Sequence, residues 1–131
     1  MKWILAAIAG PGMAFMWNRA LSRTGLKEQV RTGFLTPLGE ECIKYCIAWV
    51  FHLDPFGVSV LFGLGEGLYE SFAVKTRPGT VILLAGIAIH TVFGLGYCFT
   101  GRNGLGFGIA LVLHLFWNNV IVSGISEYNK S

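Results

Sequence analysis

The chain has 131 residues, of which 53% are hydrophobic and 13% charged, with 18 glycines, a formal net charge of +3 and a mean hydropathy of +0.59. A charged fraction about half that of a soluble domain excludes an ordinary water-exposed fold and points to an all-α, polytopic membrane protein with a single domain over 1–131. The cations lie between hydrophobic stretches instead of forming a stripe, which argues against a nucleic-acid partner and makes the lipid bilayer the expected surrounding.

A membrane-crossing helix needs about 20 mostly apolar residues, and five stretches approach that length. The first runs from Lys2 to about Asn18 and is expected to kink or break at Gly10-Pro11-Gly12, where proline removes a backbone hydrogen bond. A cleaved signal over Met1 to Gly12 is the alternative, but the apolar run continues through Met13, Phe15 and Trp17, which favours an uncleaved span. Residues 19–36 form a polar connector with Arg19, Arg23, Lys27 and Arg31 spaced by four, either one basic face of a surface-lying helix or a solvated loop.

Pro37 opens the second span, which runs to about Leu53, and Asp54-Pro55-Phe56-Gly57 reads as a tight turn. The third span, Phe56 to Val74, carries Glu66 and Glu70 on one face. Lys75-Thr76-Arg77-Pro78-Gly79 is a basic turn, and the fourth span, Thr80 to Thr100, holds His90 near its middle. After Gly101-Arg102-Asn103-Gly104, the fifth span, Leu105 to about Gly124, contributes His114 and Asn118. Seven of the ten lysines and arginines fall in the first connector, the Lys75 turn and the tail, and two at the N-terminus and the remaining turns. The richer side is expected to be cytoplasmic, with the N-terminus outside and the C-terminus inside. Glycosylation at the Asn129-Lys130-Ser131 sequon is then not expected.

The glycine patterns Gly63-x-Gly65-x-Gly67, Gly94-x-Gly96 and Gly104-x-Gly106-x-Gly108 follow no strand and are read as close helix packing, not nucleotide loops. Cys42, Cys46 and Cys98 suggest no disulfide or zinc framework and are expected to be small apolar packers. Trp3, Trp17, Trp49 and Trp117 suit interfaces or the core, His52 an interface and Asp54 a turn.

The costly residues are charged and sit inside the spans. Glu40, Glu41 and Lys44 fall within five residues, and a charge at bilayer depth costs roughly 3 kcal/mol on insertion scales. Lys44 is four residues from Glu40 and three from Glu41, so its ammonium reaches either carboxylate. Together with Glu66, Glu70, His90, His114 and Asn118 they come from four spans, and convergence on one water-filled cavity would remove the cost of each. Such a set suits amide hydrolysis: a carboxylate beside an imidazole deprotonates water, while His114 and Asn118, four apart on one face, would donate to the oxyanion. Ser59 and Ser71 have no histidine nearby in sequence, which favours water as the nucleophile.

Glu40-Glu41-x-x-Lys44, Phe62-Gly63-x-Gly65-Glu66-Gly67, the mid-helix His90 and His114-x-x-x-Asn118 occur in an order that resembles PrsW-type intramembrane proteases. These are relatives of the type II CAAX prenyl endopeptidase and of bacteriocin-processing membrane proteases. The resemblance covers 37–119. It implies a glutamate-dependent endopeptidase of a prokaryotic cytoplasmic membrane acting on a membrane-embedded protein or peptide. In that reading Glu40 is the water-activating base assisted by His90, Glu41 stands behind Glu40, and His114 with Asn118 forms the oxyanion hole. Gly67 stands where the PrsW pattern has asparagine, and Phe62 to Glu70 also looks like YhfC-type proteases, whose corresponding acid falls on Glu70. The third carboxylate is therefore Glu66 or Glu70.

If a metal takes part, zinc held by His90, His114 and Glu40 or Glu66 is the expected set, each ligand from a separate helix. The chain is short for this family, which is compatible with a homo-oligomer. Two other functional classes use the same residue types: a small proton or ion channel or transporter, and a non-catalytic chaperone or immunity protein of the same fold.

Overall fold

The computed structural model describes residues 1–73, 78–100 and 104–128, with side chains to residue 120. The Lys75-Thr76-Arg77 part of the basic turn, Gly101-Arg102-Asn103 and the sequon lie outside the described residues. Every described element is helical: α1 (Lys2–Leu21), α2 (Glu28–Val30), a wide π-type stretch (Arg31–Leu35), α3 (Thr36–Phe51), α4 (Pro55–Ala73), α5 (Gly79–Thr100) and α6 (Gly104–Tyr128).

α1 is continuous through Pro11 and is not broken at Gly10-Pro11-Gly12. It extends into the expected connector, so Arg19 belongs to its last turn, while Arg23 and Lys27 lie in the turn and coil that follow. The four cations therefore do not share a helical face. From Glu28 the chain is helical again, and the π-type stretch leads directly into α3, with Pro37, which has no amide hydrogen to give the turn before it, at the junction. α3 ends on His52 in the left-handed conformation (φ 53°), which turns the chain sharply. Asp54 then accepts a hydrogen bond from the Gly57 N–H at 2.9 Å, a side-chain cap at the start of α4.

The long helices form a ring in the order α1, α4, α5, α6, α3, and α3 closes back on α1 while also touching α4. The α4–α5 pair is the most extensive because glycine lets the backbones meet: a Cβ at Gly63 would lie 2.6 Å from the Gly86 carbonyl oxygen, and one at Gly86 3.0 Å from that of Gly63. Packing is thus the role of Gly63, Gly65, Gly67, Gly94 and Gly96, whereas Gly104 and Gly108 have open space beside them. One end of the bundle is apolar, built from Ala6, Ile47, Ala48, Leu53 and Val58. The other end is polar.

The usual distribution of side chains is inverted. Glu40, Glu41 and Lys44 are at most 1% exposed, while Trp49 is 73%, Phe72 82% and Phe99 84% exposed. Cys42, Cys46 and Cys98 are also exposed, contrary to the expectation that they pack in the interior; on α3 the inner face is taken by Glu41 and Lys44. Among the described residues only α5 is both long and apolar enough to cross a membrane, with a hydropathy of 2.0; Gly104–Val120 is a shorter apolar stretch. α3 has 16 residues and carries three charges, and α1 and α4 are diluted by glycine, proline and polar residues. The all-helical class holds, but helix length and composition do not support five spans.

Candidate functional site

At the polar end a cavity of about 620 Å³ is lined by Asn18, Glu40, Glu66, His90, His114 and Asn118, with Arg31, Ser22 and Glu70 among its other walls. A second, more apolar cavity of about 610 Å³ between α1 and α4 shares Asn18, Ser22, Glu66 and Glu70 with it. All five long helices therefore contribute titratable or carboxamide groups to one space, as their cost in apolar sequence suggests.

Adjacent residues on a helix point about 100° apart, and this separates the two α3 glutamates. Glu40 turns toward α1, where Asn18 Nδ2 donates to its Oε1 at 2.9 Å, and its Oε2 lies 3.6 Å from His114 Nε2. Glu41 turns away from the cavity. Its Oε1 accepts from Lys44 Nζ at 2.5 Å and from His114 Nδ1 at 2.8 Å. Lys44 thus pairs with Glu41, one of the two carboxylates its spacing allows. Its Nζ also lies 2.8 Å from His90 Nδ1, and His90 Nε2 is 2.5 Å from Glu66 Oε2.

The contacts join six side chains in the order Glu66, His90, Lys44, Glu41, His114, Glu40. The two ends meet again, because ligand atoms of Glu40, Glu66 and His90 lie within 4.8 Å of one another. That spacing is one a single cation can bridge, and the group contains both Glu40 and Glu66, which were alternatives in the sequence. His114 is outside it. Its Nδ1–H is committed to Glu41, which leaves a lone pair on Nε2 facing Glu40. Neutral His114 is therefore an acceptor toward the cavity, not the oxyanion donor expected from its spacing with Asn118.

Asn118 lines the cavity with one N–H donated to the Thr32 carbonyl at 3.0 Å, and Asn119 does the same to Gly33 at 3.0 Å. These two bonds fasten α6 to the π-type stretch, whose widened turns expose carbonyls to side-chain donors. Glu70 is exposed at the rim, one turn beyond Glu66. Of the two candidates for the third carboxylate, Glu66 is the one in the network.

Sequence reasoning misses Asn18, which it treats only as the end of a span, and Asn119. A carboxamide one position inside the polar end of an apolar helix is the signal for the first, and the Asn118-Asn119 doublet for the second. Trp17 is a further support: its indole donates to the Leu35 carbonyl at 3.0 Å and lies against Gly39, where a Cβ would collide with it. No protein family, curated protein or solved structure matches this chain. Function is therefore read from the site.

Proposed function

We propose that the chain is an intramembrane endopeptidase of the PrsW type: a bundle of about five membrane spans that hydrolyses a membrane-associated protein or peptide with water activated by Glu40. The observation that carries the reading is the meeting of Glu40, Glu66 and His90 within 4.8 Å on a cavity that His114 also lines. The membrane part is supported by the inverted surface: charges at 0–1% exposure inside, Phe72 and Phe99 above 80% outside. The positive-inside count adds an orientation, with the N-terminus outside, the C-terminus inside and the cavity toward the cytoplasmic side.

The mechanism follows from which atoms remain free. Asn18 holds Glu40 Oε1, so Oε2 takes the proton from water, and the lone pair of His114 Nε2 orients the same water. The water oxygen bonds to the peptide carbonyl carbon. Glu66, held through Oε2 by His90, offers its other oxygen to the substrate carbonyl as hydrogen-bond donor when protonated. The proton on Glu40 passes to the departing amine as the C–N bond breaks, and Glu66 recovers its own proton on collapse. Glu41 and Lys44 touch no substrate in this scheme and hold the two imidazoles.

The same convergence also meets the distance requirement for a divalent cation such as zinc. Glu40, Glu66 and His90 would hold it, and it would supply a polarised water. The channel alternative is disfavoured because, among the described residues, the titratable chain returns to the cavity it starts from. The test is cleavage of a single-span substrate in proteoliposomes. Glu40→Gln and His114→Ala are expected to lower cleavage by about 10²-fold or more with unchanged folded yield. Cleavage at the wild-type rate by both variants would refute the mechanism.

A further inference from the structure

The buried Lys44 has a role that carboxylate chemistry alone does not require. An ammonium has three hydrogens and no acceptor, and its partners are all electron-rich: Glu41 Oε1 at 2.5 Å, His90 Nδ1 at 2.8 Å, and the faces of Phe62 and Phe93 with centroids at 4.6 Å and 5.8 Å. Lys44 is thereby fully satisfied as a cation. Because it only donates, His90 Nδ1 must carry the lone pair, and the ring proton of neutral His90 must sit on Nε2, where Glu66 Oε2 accepts it at 2.5 Å. Glu40, whose carboxylate lies within 4.8 Å of the ring nitrogen, can only accept from it when ionised, which favours the same proton position, and the aromatic neighbours Phe62, Phe93 and the perpendicular His114 ring compete for neither nitrogen.

We infer that Lys44 is a positioning residue that locks His90 as the Nε2–H tautomer, making it a hydrogen-bond donor to Glu66 and closing it to a metal ion. A cation seated between Glu40, Glu66 and His90 needs the Nε2 lone pair, and with Lys44 donating to Nδ1 that would leave the ring with no proton at all. The set that meets the distance requirement for a metal thus fails the donor requirement while Lys44 is in place. The consequence for catalysis rests on the hydrolytic reading of this site. The tautomer itself does not.

The experiment is nitrogen-15 NMR of histidine-labelled protein in lipid nanodiscs without substrate, joined to calorimetric titration with zinc chloride. His90, assigned by loss of its signals in His90→Gln, is expected to show a protonated Nε2 and a bare Nδ1 in the wild type. Lys44→Arg, which still donates, keeps that pattern. Lys44→Met gives a mixture of tautomers and at least a tenfold gain in zinc affinity. In the cleavage assay Lys44→Met lowers kcat with KM within about twofold, and Lys44→Arg restores part of kcat. A protonated Nδ1 in the wild type overturns the proposal whether or not the variants fold, as does wild-type zinc binding that shifts the His90 nitrogens. Absence of cleavage with the expected tautomer removes the protease reading and leaves the lock standing.

Discussion

Replacing Glu41 by glutamine separates charge from shape at the centre of the bundle. Glu41 Oε1 makes both hydrogen bonds, to Lys44 and to His114, and Oε2 has no partner among the described residues. A glutamine with its carbonyl at Oε1 and its amide at Oε2 keeps both contacts, loses the negative charge and sets an amide where Oε2 has no partner. Both members of the pair are at most 1% exposed, so the variant leaves Lys44 as an uncompensated buried cation, at a cost of about 3 kcal/mol or more. Lys44→Met alone strands the carboxylate and costs a similar amount. The double variant removes both charges and strands the acceptor nitrogen of His90, at about 1–3 kcal/mol, while the unpaired amide is common to the single and double glutamine variants and cancels. The two single effects together should then exceed the double effect by about 2 kcal/mol or more. Reversible unfolding in mixed micelles, followed by tryptophan fluorescence for all four proteins, measures the coupling. Additivity within about 0.5 kcal/mol would mean that the two groups are not an energetic pair, and the network would lose its centre.

Glu66→Gln should depress cleavage at least tenfold, whereas Glu70→Gln should change it less than threefold; equal losses would move the third carboxylate to the rim. Gly63→Ala sets a methyl 2.6 Å from the Gly86 carbonyl and 2.8 Å from His90 Cβ, and should destabilise the α4–α5 contact by about 1–3 kcal/mol in the same unfolding assay. If it is neutral, the close crossing does not exist. Cys42, Cys46 and Cys98 face outward, so in liposomes a membrane-permeant maleimide should label them and a charged, impermeant one should not. Labelling by the impermeant reagent from both sides contradicts a lipid-covered exterior. Asn118→Ala together with Asn119→Ala should loosen the π-type stretch and raise amide exchange at 31–35 by at least tenfold, with no change at Ala6, Ile47 or Val58.

The helices were legible because their signals are local. Pro37 and Pro55 mark starts, and apolar runs interrupted by glycine and turn residues delimit α3 to α6 within a few residues. The connector stays open in the sequence because spacing by four says that Arg19, Arg23, Lys27 and Arg31 would share a face if helical, not whether the chain between them is helical; the structure makes residues 22–27 turn and coil and resumes a helix at Glu28. The inner position of Glu40, Glu41, Lys44, His90 and His114 was legible from desolvation cost alone: charges that apolar surroundings cannot solvate must solvate one another.

The division of roles was not legible. Whether Lys44 takes Glu40 or Glu41, whether Glu66 or Glu70 meets His90, and which nitrogen of each imidazole faces the cavity depend on the rotation and depth of each helix, which packing against all its neighbours sets. By itself the sequence determined the all-helical class and the short list of groups that had to find partners. Only the tertiary structure decided the pairs. Because a hydrogen bond has a direction, those pairs make neutral His90 a donor to Glu66 and neutral His114 an acceptor toward the cavity, where its spacing from Asn118 suggests a donor.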